Sequence, residues 1–117
     1  MLNVIRGRTA DEAILQLSGE VDLAVAPGML ERLLSGTLFD ARRVVVDLDE
    51  VTFLDSSGLG LLAALRKPAL RDPDGEFALI NPHGIVAKVL QVASMDDLVE
   101  GGLPADVAGG QGEQTEE

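Results

Sequence analysis

The chain has 117 residues, of which 46% are hydrophobic and 3% aromatic, and its formal net charge is −11. This length suits one domain with one core, built from Leu, Val, Ile and Ala because the chain has no Trp and no Tyr. The acidic balance argues against a nucleic-acid partner, since binding to nucleic acid depends on cations that neutralise phosphates.

The absence of cysteine excludes disulfides, thiolate metal sites and cysteine nucleophiles. The N-terminal residues, 1–8, contain no apolar stretch of signal-peptide length. No run approaches the roughly 20 apolar residues that a membrane span needs. We therefore expect a cytoplasmic protein without a membrane partner.

The first half of the chain predicts an edge strand, a second strand, a helix and a central strand. Apolar residues alternate in one stretch, recur at helical spacing in the next, and then form a run of three valines. We expect Asp22 or the next residues to cap the helix, with Pro27 in its first turn. The predicted elements are strand Met1–Ile5, turn Arg6–Asp11, strand Glu12–Ser18, acidic turn Gly19–Asp22, helix Leu23–Leu38 and strand Arg42–Leu48.

The second half predicts a helix, a strand and another helix. The first of these helices places Leu59, Leu62 and Ala63 on one face, and Pro68 ends or kinks it. The last helix has Asn81 as its cap and an apolar stripe from Ile85 to Leu90. The predicted elements are helix Gly58–Arg66, turn Arg71–Gly75, strand Glu76–Ile80, a helix beginning at Asn81-Pro82-His83 and a short helical turn Asp96–Glu100.

This order predicts an α/β domain over residues 1–100. Two leading strands joined by a short turn imply an antiparallel pair, and strand–helix–strand units imply parallel neighbours. A mixed sheet with helices packed on it follows. Residues 101–117 hold five glycines, four acids and no Lys or Arg, so we expect a disordered acidic, glycine-rich tail.

The most informative stretch is Asp55-Ser56-Ser57-Gly58-Leu59-Gly60, where a strand and an acidic turn lead into an apolar helix. The motif is first of all a helix cap, since Ser and Asp are preferred there, and such a cap stabilises a helix by ~1 kcal/mol. A capping hydroxyl at a loop edge is also exposed, and a phosphate on it would face backbone N–H groups and the positive end of the helix dipole. Gly58 and Gly60 would leave room for an enzyme.

Other chemistry has little support in the sequence. Neither Ser56 nor Ser57 lies in a Gly-x-Ser-x-Gly elbow, and His83 is the only histidine, so we expect no catalytic residues. The nucleotide-binding glycine motifs are absent, so we expect no cofactor. The loose acidic set favours solvated loop ends over a metal site. That set comprises Glu20, Asp22, Asp47, Asp49, Glu50 and Asp55.

Four stretches of the chain resemble the STAS domain, and in particular the stand-alone bacterial anti-sigma factor antagonists. The likeness covers roughly residues 10–100. The resemblance implies a mixed sheet of four or five strands with helices packed on it. The stretches are Leu15–Asp22, Val45–Leu48, Phe53–Gly60 and Asn81-Pro82.

The resemblance also implies a function. The unmodified antagonist would bind an anti-sigma factor that is also a serine kinase and thereby free the sigma factor. The kinase would phosphorylate Ser57, and a serine phosphatase would reset it. Residues around the acceptor would form the partner-binding patch, and free family members are often monomeric. These residues are Asp22, Asp55, Ser56, Gly58, Leu59 and Gly60.

One alternative stays open at this stage. STAS domains also occur as scaffolds and in anion transporters, where some bind partners without a phosphorylation cycle. In addition, residues 93–99 lead into a glycine-rich tail where family members often continue into another strand or helix. Under either reading the chain is a binding protein and not an enzyme.

Overall fold

The computed structural model of the chain describes residues 2–6 and 11–107. Within these ranges the chain forms a sheet of four strands, three α-helices and two 3₁₀ turns. The strands are β1 (Leu2–Arg6), β2 (Glu12–Val21), β3 (Arg43–Leu54) and β4 (Glu76–Ile80). The helices are α1 (Ala26–Leu34), α2 (Ser56–Ala69) and α3 (Gly84–Val92), and the 3₁₀ turns are Leu38–Asp40 and Asp96–Leu98.

The predicted α/β fold with helices on a sheet is confirmed. The strands lie in the order β1-β2-β3-β4, with β1 antiparallel to β2 and with β2, β3 and β4 mutually parallel. Among the described residues no fifth strand extends the sheet. Beyond β4, the described residues add an isolated parallel bridge between Leu79 and Val99. The predicted strand Glu76–Ile80 has the bounds that the structure gives it.

The two central strands are longer than predicted, because they pass through bulges instead of ending. Gln16 pairs with Asp47 but Ser18 pairs with Glu50, so β3 holds one extra residue in that interval. A second extra residue follows, between the pairs that Gly19 and Glu20 make. Gly19 has a φ of +80°, which suits glycine and bends the strand at the place where a turn was predicted.

The helix bounds differ from the predicted ones. The predicted helix Leu23–Leu38 is shorter, since α1 begins after an N-cap at Val25 and ends before Ser35. α2 is longer than predicted, begins at Ser56 and keeps Pro68 inside its last turn. α3 begins at Gly84, and Asn81 is not its cap. Asn81 instead adopts a φ of 61° and donates its side-chain amide to Asp47 Oδ1 over 3.1 Å.

One continuous apolar core joins the helices to one face of the sheet. From α2 it takes Leu61, Leu62, Leu65 and Ala69, so the buried face of that helix is not the predicted one, and Ala63 is exposed. In α3, Val86 and Leu90 are buried while Ile85 is 54% exposed. The strand side chains in the core are Ala13, Leu15, Leu17, Val21, Val44, Val46, Leu48, Val51, Leu54 and Leu79.

The opposite face of the sheet carries an ion-pair cluster centred on Arg43. The guanidinium contacts Glu12 at 3.1 Å, Glu76 at 3.0 Å and Glu100 at 2.7 Å, so it ties three strands to the segment after β4. Burial acts to lower the pKa of Arg43, but the hydrogen bonds that it donates to Glu76 and Glu12 outweigh burial, and the pKa is raised. The hydrogen bond from Arg43, helped by Arg42, lowers the pKa of Glu76.

Residues 101–107 pack against the body of the protein, where the sequence predicted a disordered tail. Leu103 packs against the core, and Val107 is buried with 8% of its surface exposed. The remainder of the predicted tail, residues 108–117, lies outside the described residues. No helix among the described residues is both long enough and apolar enough to span a membrane.

Candidate functional site

The Asp55–Gly60 motif lies where two parallel strands end side by side. Val21, the last residue of β2, pairs with Leu54, the last residue of β3. Because parallel strands bring their carboxyl ends to one edge of the sheet, the β2–α1 and β3–α2 connections are neighbours there. Asp22 and Asp55, which follow these two strands, therefore lie in adjacent connections.

Asp55 is the N-cap of α2. Its Oδ1 accepts hydrogen bonds from the backbone N–H of Ser57 at 2.8 Å and of Gly58 at 3.1 Å. Its carbonyl oxygen accepts the N–H of Leu59 at 2.9 Å. The expectation of N–H groups available to a phosphate on Ser57 is therefore wrong for these three amides, since Asp55 already occupies them.

The two serines follow the cap and differ in exposure. Ser56 is exposed, whereas Ser57 is half-buried at the second helical position. Within residues 11–107, no side-chain oxygen or nitrogen is buried without a hydrogen-bond partner. Ser57 is partly exposed, and the helix and its cap determine its backbone conformation.

The motif glycines play different parts. Gly58 is buried, and its place in the partner-binding patch stays a prediction. A Cβ at position 58 would lie 2.5 Å from the carbonyl oxygen of Val21 and would overlap the Leu54 side chain. Only glycine allows α2 to approach the end of β2 so closely. Gly60 is exposed, with nothing within 4 Å of a Cβ there, and Leu59 is half-buried against the core.

Asp22 organises the neighbouring connection without capping α1. Its Oδ1 accepts the N–H of Ala24 at 3.1 Å, and its carbonyl oxygen accepts the N–H groups of Val25 and Ala26 at 3.1 and 2.8 Å. The N-cap of α1 is Val25, which makes no side-chain capping bond. Of the predicted caps, Asp22 or the next residues, Asp22 is therefore not the cap, although it does hold the turn that leads into the helix.

Sequence reasoning missed three exposed apolar side chains beside the motif. Leu23 is 69% exposed, Val25 37% and Phe53 43%. Leu23 and Val25 belong to the β2–α1 connection, and Phe53 immediately precedes the buried Leu54. The available signal was the position of Phe53 two residues before Asp55, whereas Leu23 and Val25 were hidden inside a predicted helix.

The segments that meet at this edge carry only negative charge. Residues 13–31 and 44–65 contain no Lys and no Arg. Their acids include Glu20, Asp49 and Glu50, which are exposed, and Asp22 and Asp55, which are half-buried. Across residues 11–107, no group of three or more His, Asp or Glu side chains is arranged to hold a metal ion.

Two other features lie away from the motif. His83 is exposed, and its Nε2 is hydrogen-bonded to the carbonyl oxygen of Asp49. An open, polar cleft of about 590 Å³ lies at the other end of the strands, between the 3₁₀ turn at Phe39 and Asp40 and the end of α2 at Pro68. Neither feature brings a nucleophile together with a base.

Comparison with known proteins agrees with this architecture. The model of the STAS domain family matches residues 4–108. The anti-sigma-B factor antagonist of Listeria monocytogenes is 27% identical over 96 residues, which cover 82% of this chain and 83% of that protein.

Solved structures show the same fold. The anti-sigma factor antagonist SpoIIAA in its unphosphorylated form superposes with a TM-score of 0.71 at 22% identity, covering 86% of both chains. The phosphorylated form of the Bacillus cell fate determinant SpoIIAA gives a TM-score of 0.62 at 22% identity, covering 86% of this chain and 89% of that one.

Proposed function

We propose that this chain, which belongs to the STAS domain family, is an anti-sigma factor antagonist controlled by phosphorylation of Ser57. Unmodified, it binds an anti-sigma factor serine kinase and keeps it from its sigma factor. Phosphorylated, it releases the kinase, and a serine phosphatase restores the binding form. The observation that carries the proposal is a half-buried serine held just behind the Asp55 cap, at the edge where two parallel strands end.

The relatives support the antagonist part of this proposal. The curated relative is named as an antagonist of an anti-sigma factor, and the neighbour of similar fold was solved in both unphosphorylated and phosphorylated forms. The patch that would contact the partner comprises Asp22, Ser56, Leu59 and Gly60 beside the acceptor. Asp55 contributes by fixing the backbone of the acceptor.

In the transfer step this chain is the substrate. The Ser57 Oγ–P bond forms as the bond between the β–γ bridging oxygen and the γ-phosphorus of ATP breaks, and ADP leaves. The hydroxyl proton passes to a base of the kinase, which also supplies Mg²⁺. The helical position of Ser57 presents its hydroxyl in one fixed backbone conformation, so little ordering has to accompany the reaction.

The charge around Ser57 explains why a phosphate would change the binding of the partner and not the fold of this chain. Phosphorylation adds roughly −1.5 to −2 charges at neutral pH. The segments 13–31 and 44–65 offer no Lys or Arg to pair with it, and Asp55 already holds the nearest amides. The added charge therefore requires no refolding of this chain, and it must be desolvated or repelled when a partner binds.

Three variants test the proposal with the purified kinase and ATP. Ser57→Ala should accept no phosphate and still bind the kinase, because only the hydroxyl is lost. Ser57→Asp should bind about a hundredfold more weakly, since a charge facing a close interface costs ~2–5 kcal/mol. Ser56→Ala is the matched control and should be phosphorylated normally. Mass spectrometry would locate the phosphate, and finding it on Ser56 would refute the assignment.

The scaffold alternative gives a different result in the same experiment. A STAS domain that binds partners without a covalent cycle would keep its affinity in Ser57→Asp. Isothermal titration of the wild type and this variant therefore separates the two functions.

A further inference from the structure

We infer that the partner docks through an apolar patch formed by Leu23, Val25 and Phe53, and that its own surface is an apolar recess bordered by Lys and Arg side chains. This inference rests on the proposed function, because it specifies the partner surface for the same edge of the sheet. The three apolar residues lie outside the Asp55–Gly60 motif, and they would anchor the partner.

The position of the patch is its first support. Seven large apolar side chains are exposed among the described residues, and three of them lie in the two chain segments that meet beside Ser57. Single exposed apolar residues are ordinary on a protein surface, but several at one edge mark an interaction site. Phe53 pairs with Glu20 across the two strands, and Leu23 follows the end of β2 by two residues, so both lie at this edge.

The structure does not need these side chains for its own packing. Leu23 is 69% exposed, and it stands in a connection that Asp22 already holds through hydrogen bonds to Ala24, Val25 and Ala26. Phe53 is exposed, and the adjacent Leu54 is the residue that fills the core at this point. Burial of these side chains against a partner would therefore contribute a favourable hydrophobic free energy to binding.

Charge decides what kind of partner fits. Exposed Glu20, Asp49 and Glu50 accompany the patch, and the segments that carry it have no cation. A second copy of this chain would bring the same acids into opposition, and an anionic membrane would be repelled. A protein surface with an apolar recess bordered by Lys and Arg would bury the apolar side chains and pair with the acids. Long-range attraction between the opposite charges would also speed its association.

The test measures binding of the purified anti-sigma factor serine kinase to unphosphorylated variants. Leu23→Gln and Phe53→Gln should each weaken binding about tenfold or more, because they remove apolar anchors. Val92→Gln, at a residue 81% exposed on α3, and Leu34→Gln, at a residue 52% exposed on α1, are matched controls and should bind like wild type. Circular dichroism of each variant verifies that it is folded.

Salt dependence tests the charge of the partner separately. Raising NaCl from about 50 to about 300 mM should slow association of the wild type, since it screens the attraction between exposed charges. Glu20→Gln and Glu50→Gln together should reduce that dependence, whereas Asp97→Asn in the last 3₁₀ turn should leave it unchanged.

The outcomes separate this inference from the proposed function. Normal binding by both Leu23→Gln and Phe53→Gln, with Ser57→Asp still impaired, would overturn the patch and leave the switch in place. A wild-type chain that fails to bind the kinase would overturn both. Self-association of the wild type that Leu23→Gln abolishes would assign the patch to a second copy and refute a cationic partner.

Discussion

Asp55 combines two tasks that the sequence motif alone does not separate. Its carboxylate caps α2 through the amides of Ser57 and Gly58, and the same bonds fix the backbone of the serine that we propose as the phosphate acceptor. Helix capping is thus sufficient to explain why a carboxylate lies next to the proposed acceptor serine. The residue thus positions the proposed acceptor through its Oδ1 atom.

Replacing Asp55 should reveal this capping role. Asp55→Ala should lower the free energy of unfolding by ~1 kcal/mol, because two helix amides lose their acceptor. Asp55→Asn retains a capping oxygen and should cost less. Urea denaturation followed by circular dichroism measures both variants, and equal losses for Ala and Asn would show that the bonds contribute little.

The packing of α2 on the end of β2 depends on the contrast between its two glycines. Gly58 faces the Val21 carbonyl at a distance that excludes a Cβ, whereas Gly60 is open to solvent on the same helix. The intrinsic helix propensity of alanine is better than that of glycine by ~1 kcal/mol, so propensity alone favours alanine at both positions. Only tertiary contact distinguishes them.

The two alanine substitutions should therefore have opposite signs. Gly58→Ala should destabilise the protein by about 1–3 kcal/mol, as overpacking does when backbone has to move. Gly60→Ala should stabilise it by up to ~1 kcal/mol, because nothing obstructs the added methyl group. Thermal unfolding of both variants gives the answer, and a stabilised Gly58→Ala would contradict the close approach to Val21.

Strand order and the place of the motif could be predicted from sequence because they depend on local patterns. The alternation around Leu15, the valine run and the turn before Glu76 are each visible within about ten residues. The antiparallel start and parallel continuation of the sheet follow from the lengths of the connections, and the pairing confirms them.

What the sequence did not predict depends on contacts between distant segments. Gly19 was taken as the end of a strand, but the strand continues because β3 supplies the matching bulge. Asn81 was taken as a helix cap, but its side chain bonds to Asp47 in another strand. Gly58 lay within the motif and was assigned to the surface, because nothing local reveals that the Val21 carbonyl lies above it.

The Arg43 cluster couples three strands and the segment after β4 into one unit. Glu12, Arg43 and Glu76 are register partners across β2, β3 and β4, and Glu100 joins them from beyond the sheet. Cooperative unfolding is the expected result, because loss of one guanidinium removes contacts from β3 to three other segments at once. Arg43→Met should lower the Tm and weaken the attachment of residues 99–107, which limited proteolysis can detect.

The same cluster predicts a dependence of stability on acid. Arg43 holds the pKa of Glu76 below its usual range in the folded state, so the stabilisation is present above the unfolded pKa of about 4.3 and is lost as pH falls through the lower folded value. Glu76→Gln should flatten the fall of Tm below about pH 4.3.

Glu31→Gln, at an exposed acid on α1 without an ion pair among the described residues, serves as the control for this titration. It should leave the acid limb of the Tm curve as in the wild type. An unchanged acid limb in Glu76→Gln would show that the pair with Arg43 contributes nothing to the stability of the folded chain.

Each bulge in β3 inverts which side of the sheet the following residues face, and the second inversion cancels the first. The buried positions accordingly run through Val44, Val46 and Leu48, shift to Val51 and return to Leu54. Loss of the extra residue at one bulge would let that interval pair one-to-one with β2 and would leave Leu54 opposite Val21. The two bulges are thus the positions in this strand where a one-residue deletion is compatible with the fold.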